Sequence, residues 1–181
     1  MRKVLVLVGL VLSIPATLLA QPAQTVSLFA AGVNSQDDQR PAGFGLSYDR
    51  MLTRRLSLDA AVAYERHLSY GYVVDVGGFI NVVPPAHLRT VPIDLTARYH
   101  WLNETRWKPY LGAGAHYVAA PKVHLDPGFN YQNHLDGEVD GGVAFMLTPA
   151  LGVMLDGRVI GGKYETYDPI FRVSAGLSWR F

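Results

Sequence analysis

The last eleven residues of the chain alternate without a break. Phe171, Val173, Ala175, Leu177, Trp179 and Phe181 share one face of an extended strand, and Arg172, Ser174, Gly176, Ser178 and Arg180 share the other. Side chains on a strand point to opposite faces with period two, so such a segment separates two environments. The pattern recurs along the chain. Phe44, Leu46 and Tyr48 alternate with Gly45, Ser47 and Asp49, and Leu56 to Tyr64 with Ser57 to Glu65. Val91, Ile93, Leu95, Ala97, Tyr99 and Trp101 oppose Pro92, Asp94, Thr96, Arg98 and His100. Leu111 to Tyr117 alternates with Gly112, Gly114 and His116. Leu135 to Leu147 carries Asp136, Glu138 and Asp140 on its other face, and Leu151 to Val159 carries Asp156 and Arg158. Val26 to Val33 gives a weaker first strand, which brings the count to eight.

The connections alternate too. Short links fall near Leu52-Thr53, Leu102 to Trp107 and Thr148-Pro149, and longer ones cover residues 34–41, 67–89, 118–133 and 161–169. Short turns at one rim, long loops at the other and an even strand number describe an all-β fold: a closed, eight-stranded antiparallel transmembrane barrel with short periplasmic turns and longer extracellular loops. The charged face cannot point into lipid cheaply, so it is assigned to the interior. A soluble lipocalin-like barrel would need the opposite arrangement. Tyr48, Tyr99, Trp101, Trp107, Trp179 and Phe181 gather near the short-turn rim, and Tyr64 and Tyr117 near the other, where membrane interfaces favour amphipathic rings.

The N-terminus carries a different signal. Met1-Arg2-Lys3 is basic, Val4 to Leu12 is apolar, and Ala16 to Ala20 supplies small residues. That order predicts a secretory signal peptide over residues 1–20, cleaved near Ala20, and one barrel domain over residues 21–181. The whole chain has 16 Lys plus Arg against 15 Asp plus Glu, a balance that argues against a nucleic-acid partner. There is no cysteine among the 181 residues, which excludes disulfides, zinc–thiolate sites and thiol nucleophiles.

Three segments carry a resemblance. They are Thr90 to Trp101, Lys108-Pro109-Tyr110-Leu111-Gly112-Ala113-Gly114-Ala115-His116-Tyr117, and the hairpin from Gly141 to Val159. They are similar to the OmpW-like group of small bacterial outer-membrane barrels, and the Pro-Tyr-x-Gly-Ala-Gly stretch is the most specific. Phe181, with Trp179 before it, looks like the C-terminal assembly signal of such barrels. The resemblance implies a monomeric outer-membrane barrel surrounded by lipid and lipopolysaccharide and handed to the barrel-assembly machinery through its C-terminal strand. It also implies passage of small hydrophobic molecules or surface recognition. This chain is shorter than that group, mostly in its last loop, and its inward face is charged rather than apolar.

The inward set gives two candidate features. Asp49, Asp59, Glu65, Asp94, Asp136, Glu138, Asp140 and Asp156 face Arg98, Arg158, Arg172 and Arg180, with His100 and His116 among them. An ion-pair network filling the interior is expected, because buried charge must be paired. A narrow polar pore, cation-preferring from its excess of acid, is the functional alternative. The second feature is an apolar mouth containing Tyr70, Tyr72, Val74, Val76, Phe79 and Ile80. Gly77-Gly78 between its two apolar runs suggests a hairpin, closed off by Pro84-Pro85. Either the third and fourth barrel strands extend past the membrane here and pack on the other loops, or the segment is a mouth that receives a small hydrophobic ligand, lipid or partner.

Other chemistry is weaker. His67-Leu68-Ser69 with Glu65 superficially matches the His-x-Ser pair of an outer-membrane lipid A deacylase group, but lacks the Asn that normally follows and lies early in the chain. A lipid A-modifying enzyme is therefore the alternative to a non-enzymatic barrel. Asp136 to Gly141 resembles the start of an EF-hand loop, but Leu147 stands where its closing Glu belongs. His124 and His134 read as solvated loop residues, and Gly112 and Gly114 as strand glycines for close packing or bending. No catalytic residue, cofactor or metal is expected.

Overall fold

The computed structural model describes residues 23–34, 42–68, 72–76, 79–83, 87–102, 104–119, 133–161 and 169–181. The signal segment, Tyr70, Ser69, His124 and most of the long connections lie outside these residues. Ten strands form: β1 (Gln24–Asn34), β2 (Ala42–Met51), β3 (Leu56–Leu68), β4 (Tyr72–Val76), β5 (Phe79–Val83), β6 (His87–His100), β7 (Trp107–Ala119), β8 (His134–Met146), β9 (Leu151–Ile160) and β10 (Ile170–Arg180). Eight close into a barrel in the order β1-β10-β9-β8-β7-β6-β3-β2, and β4 and β5 make a separate two-stranded sheet. Every neighbouring pair in the barrel is antiparallel.

The alternation sets the two faces. Leu28, Phe44, Leu111, Leu135, Leu155, Val173 and Trp179 are all more than half exposed, whereas the residues between them on each strand are buried. An outward apolar surface of this extent is at ease only in lipid. Each strand satisfies its backbone groups on its neighbours, so closure leaves no edge. The seam joins the ends of the described barrel: Gln24 N donates to Phe181 O at 3.0 Å, and Phe181 N to Gln24 O at 2.9 Å.

The short-turn rim uses one device twice. In Leu52-Thr53-Arg54-Arg55-Leu56, Leu52 N donates to Leu56 O at 2.8 Å, and Thr53 Oγ1 accepts from Leu56 N at 3.0 Å. In Leu147-Thr148-Pro149-Ala150-Leu151, the matching bonds are 2.8 and 2.9 Å. Threonine caps the turn because its hydroxyl reaches backbone amides two and three residues on.

Two regions add detail to the sequence reading, and the first contains the hairpin that the sequence suggests. β3 and β6 run further toward the long-connection rim than their alternation indicates, pairing out to Leu68↔His87. Between them, β4 and β5 pair antiparallel from Tyr72↔Val83 to Val76↔Phe79. β1 is weak in sequence because it is apolar on both faces. Phe29, Ala31 and Val33 are buried inside the barrel, and Phe29 and Ala31 cluster there with Ala61 and Ala63. Gly45 makes room for this cluster, since a Cβ there would lie 2.5 Å from Phe29 Cζ.

Candidate functional site

The interior of β3 and β6–β10 is a stack of charges. Asp59, Asp94, Arg98, Asp140, Asp156, Arg158 and Arg172 come from five strands, and each is buried. Each stands at an inward position fixed by the period of its own strand. Glycine leaves them space: a Cβ on Gly112 would run into the Asp140 carboxylate and lie 2.9 Å from Arg98 Cγ.

Three guanidiniums organise the stack in tiers. Nearest the short-turn rim, Arg98 meets Asp140 at 2.6 Å, Asp59 at 2.9 Å, Asp156 at 3.4 Å and Asp49 at 3.7 Å. Its guanidinium carbon lies 4.4 Å from the Tyr110 ring centroid, and Tyr110 donates to Asp156 at 2.8 Å. Above it, Arg158 reaches Asp156 at 2.8 Å, Asp94 at 3.0 Å, Glu138 at 3.1 Å and Asp59 at 3.3 Å. Toward the long-connection rim, Arg172 meets Glu65 at 3.3 Å and Asp94 in a close contact. Planar five-donor guanidiniums suit such shared bonding, and buried carboxylates need them.

Most of the expected inward set lies in this stack. Asp136 is buried and lies 3.4 Å from His134, which faces it rather than standing alone as a solvated loop residue. Arg180 sits elsewhere: with Asp49, His100 and Lys108 it lines a cavity of about 70 Å³ at the short-turn rim. His100 bonds Ser57 Oγ through Nε2 at 2.8 Å. Glu65 is 5% exposed and faces the interior, where it meets Arg172. Ser69 lies outside the described residues. Of the apolar-mouth set, Tyr72, Val74, Val76, Phe79 and Ile80 belong to the β4–β5 hairpin.

Two features escaped sequence reasoning. Tyr110 belongs to the polar stack as a donor and ring platform, although it reads as a strand aromatic. Thr96 is wholly buried and donates to Glu138 Oε1 at 2.6 Å. Their signal is weak but present: both fall at inward positions of strands rich in buried charge.

The aromatic rim is ordered by polar contacts. Tyr48 donates to Gln24 Oε1 at 2.9 Å, Arg55 Nη1 donates to Tyr99 OH at 3.1 Å, and Trp107 and Phe145 have ring centroids 4.7 Å apart. The two tyrosines give their hydroxyls polar partners at the rim, as interfacial aromatics do.

No protein-family model matches the chain, and no curated protein matches it in sequence. Solved structures do match. The outer membrane protein OprG of Pseudomonas aeruginosa has a TM-score of 0.65 at 14% identity, covering 88% of this chain and 96% of that one. Neisserial surface protein A has a TM-score of 0.58 at 21% identity, covering 88% and 97%. Outer Membrane Protein W of E. coli has a TM-score of 0.51 at 15% identity, covering 88% and 98%. Likeness at these identities is likeness of fold. The chain has the fold of the small eight-stranded outer-membrane β-barrels, the OmpW-like group among them.

Proposed function

We propose that the protein is a non-enzymatic barrel of a bacterial outer membrane, with a structural plug for an interior and a recognition surface at its long-connection rim. One observation carries the reading: Asp59 and Thr96 are 0% exposed and Asp94, Asp140, Asp156 and Arg172 are 1% exposed at mid-barrel. A barrel of eight strands has room for its own side chains, and here they use it. The apolar outer wall supports a surrounding of outer-membrane lipid and lipopolysaccharide. The last strand, ending in Trp179 and Phe181, is the segment offered to the assembly machinery. The chain reaches the membrane through a signal peptide cleaved near Ala20 and works as a monomer.

A second reading, a minor conduit for small hydrophobic molecules, is favoured by the composition of the β4–β5 hairpin. Solute flux through the purified mature protein in liposomes separates the two. The plug reading expects neither small apolar nor small ionic solutes to pass while the barrel stays folded. Selective apolar flux, lost on shortening residues 70–85, would replace it with the conduit; cation-preferring conductance would replace it with a polar pore. The lipid A enzyme makes its own demand: Ser69→Ala would abolish lipid A modification, whereas a non-enzymatic barrel leaves lipid A unchanged in both proteins.

A further inference from the structure

The polar stack is short of positive charge. Among the described residues, seven carboxylates, of Asp49, Asp59, Glu65, Asp94, Glu138, Asp140 and Asp156, share three guanidiniums, of Arg98, Arg158 and Arg172, more acids than these guanidiniums can match one for one. Uncompensated charge is expensive in a buried setting, so the interior calls for further cations or protons. One place is built to take a cation. Asp94, His116 and Glu138, on the neighbouring strands β6, β7 and β8, bring one ligand atom each within 4.8 Å of one another, and all three are buried.

The carboxylates are oriented for it. Asp94 gives Oδ2 to Arg158 and Arg172 and turns Oδ1 to His116 Nδ1 at 2.6 Å. Glu138 gives Oε1 to Thr96 and Arg158. Its Oε2 is buried without a hydrogen-bond partner, 4.0 Å from His116 Nδ1 and 4.0 Å from Arg172 Nη2. Asp94 thus binds the guanidiniums through one oxygen and the imidazole through the other, and Glu138 is held by its Oε1 while its Oε2 lies equally far from the imidazole and from Arg172. Outer partners that fix ligand orientation in this way are a regular part of metal sites.

We propose that Asp94 Oδ1, His116 Nδ1 and Glu138 Oε2 bind one first-row divalent cation of the Zn²⁺ class, with water completing the shell. One imidazole and two carboxylates suit a borderline ion. Tetrahedral bonds of about 2.0–2.1 Å separate ligand atoms by roughly 3.3 Å. A single shift of the His116 ring from Asp94 toward Glu138 opens the 2.6 Å contact and closes the 4.0 Å one. The ring coordinates through Nδ1 as a neutral imidazole with its proton carried on Nε2, so the ion adds two positive charges to the acid-rich stack.

The test uses the full mature barrel, folded in detergent, stripped with a chelator and titrated with Zn²⁺ alone. The expected result is one saturable ion per barrel with a raised unfolding midpoint. His116→Asn should weaken binding by more than the roughly 10–100-fold that loss of an outer partner costs, and His134→Asn should leave it unchanged. X-ray absorption of the zinc-loaded wild type needs no variant to fold, and should give one imidazole nitrogen and otherwise oxygen at about 2.0–2.2 Å. Absence of saturable binding, binding that survives in folded His116→Asn, or a spectrum with two or more imidazoles would overturn the site.

Discussion

One barrel interior is filled in two ways. Against β1 to β3 the filling is apolar and small, with Phe29, Ala31, Ala61 and Ala63 packed over Gly45. Across β6 to β10 it is polar, and the guanidiniums of Arg98, Arg158 and Arg172 are each shared among several acids. The apolar corner needs only the right volume, since dispersion contacts have no fixed direction. The polar stack needs every partner, because a carboxylate stripped of its donor keeps its desolvation cost. The same space therefore tolerates change on one side and resists it on the other.

Arg158→Leu is the hardest test of that contrast. It removes the guanidinium that joins Asp59, Asp94, Glu138 and Asp156, and should cost about 3–5 kcal/mol in denaturant unfolding of the detergent-folded protein. A loss below about 1 kcal/mol would mean the acids repartner freely, and the distinction between the two fillings would fail. Gly45→Ala probes the apolar side by overpacking and should cost about 1–3 kcal/mol. Combining it with Phe29→Leu should return part of that loss, because the two side chains contend for one space. Phe29→Leu alone trades a ring for a smaller side chain and should cost about 1–2 kcal/mol through the space it leaves. Smallest is Thr148→Ala, outside both fillings, which removes a cap on Leu151 N and should cost about 1 kcal/mol. If that exceeded the Arg158 effect, the turns rather than the interior would govern the barrel's stability.

Much of this architecture is legible because a closed sheet in lipid leaves the sequence little freedom. Residues 171–181 read as a strand with an inside and an outside, and they form β10 with Arg172 buried and Val173 exposed. β1 reads poorly for a physical reason: with Phe29 and Val33 inward and Leu28 outward, period two separates nothing. The repeated Leu-Thr-x-x-Leu turns were visible as letters, but their hydroxyl caps depend on backbone geometry. The charged inward set can be read strand by strand, whereas its partners cannot. Arg158 meets Asp59 from 99 residues away, and Arg172 meets Glu65 from 107. Those meetings depend on closure and on the stagger of strands around the barrel, which no local pattern encodes. The Asp94–His116–Glu138 group was hidden likewise, because its ligands stand on three strands at no local motif spacing.

The paired backbone bonds between Gln24 and Phe181 make the order of the strands partly a matter of convention. With those residues side by side, the barrel portion is a ring that happens to be cut at one seam. A short bridge from 181 to 24, with new ends opened between β9 and β10, would write the same barrel as a different sentence. Chain direction, neighbours and the inward residues would all be kept. What such a permutant would lose is β10 as its final strand, while every pairing within the ring stays available.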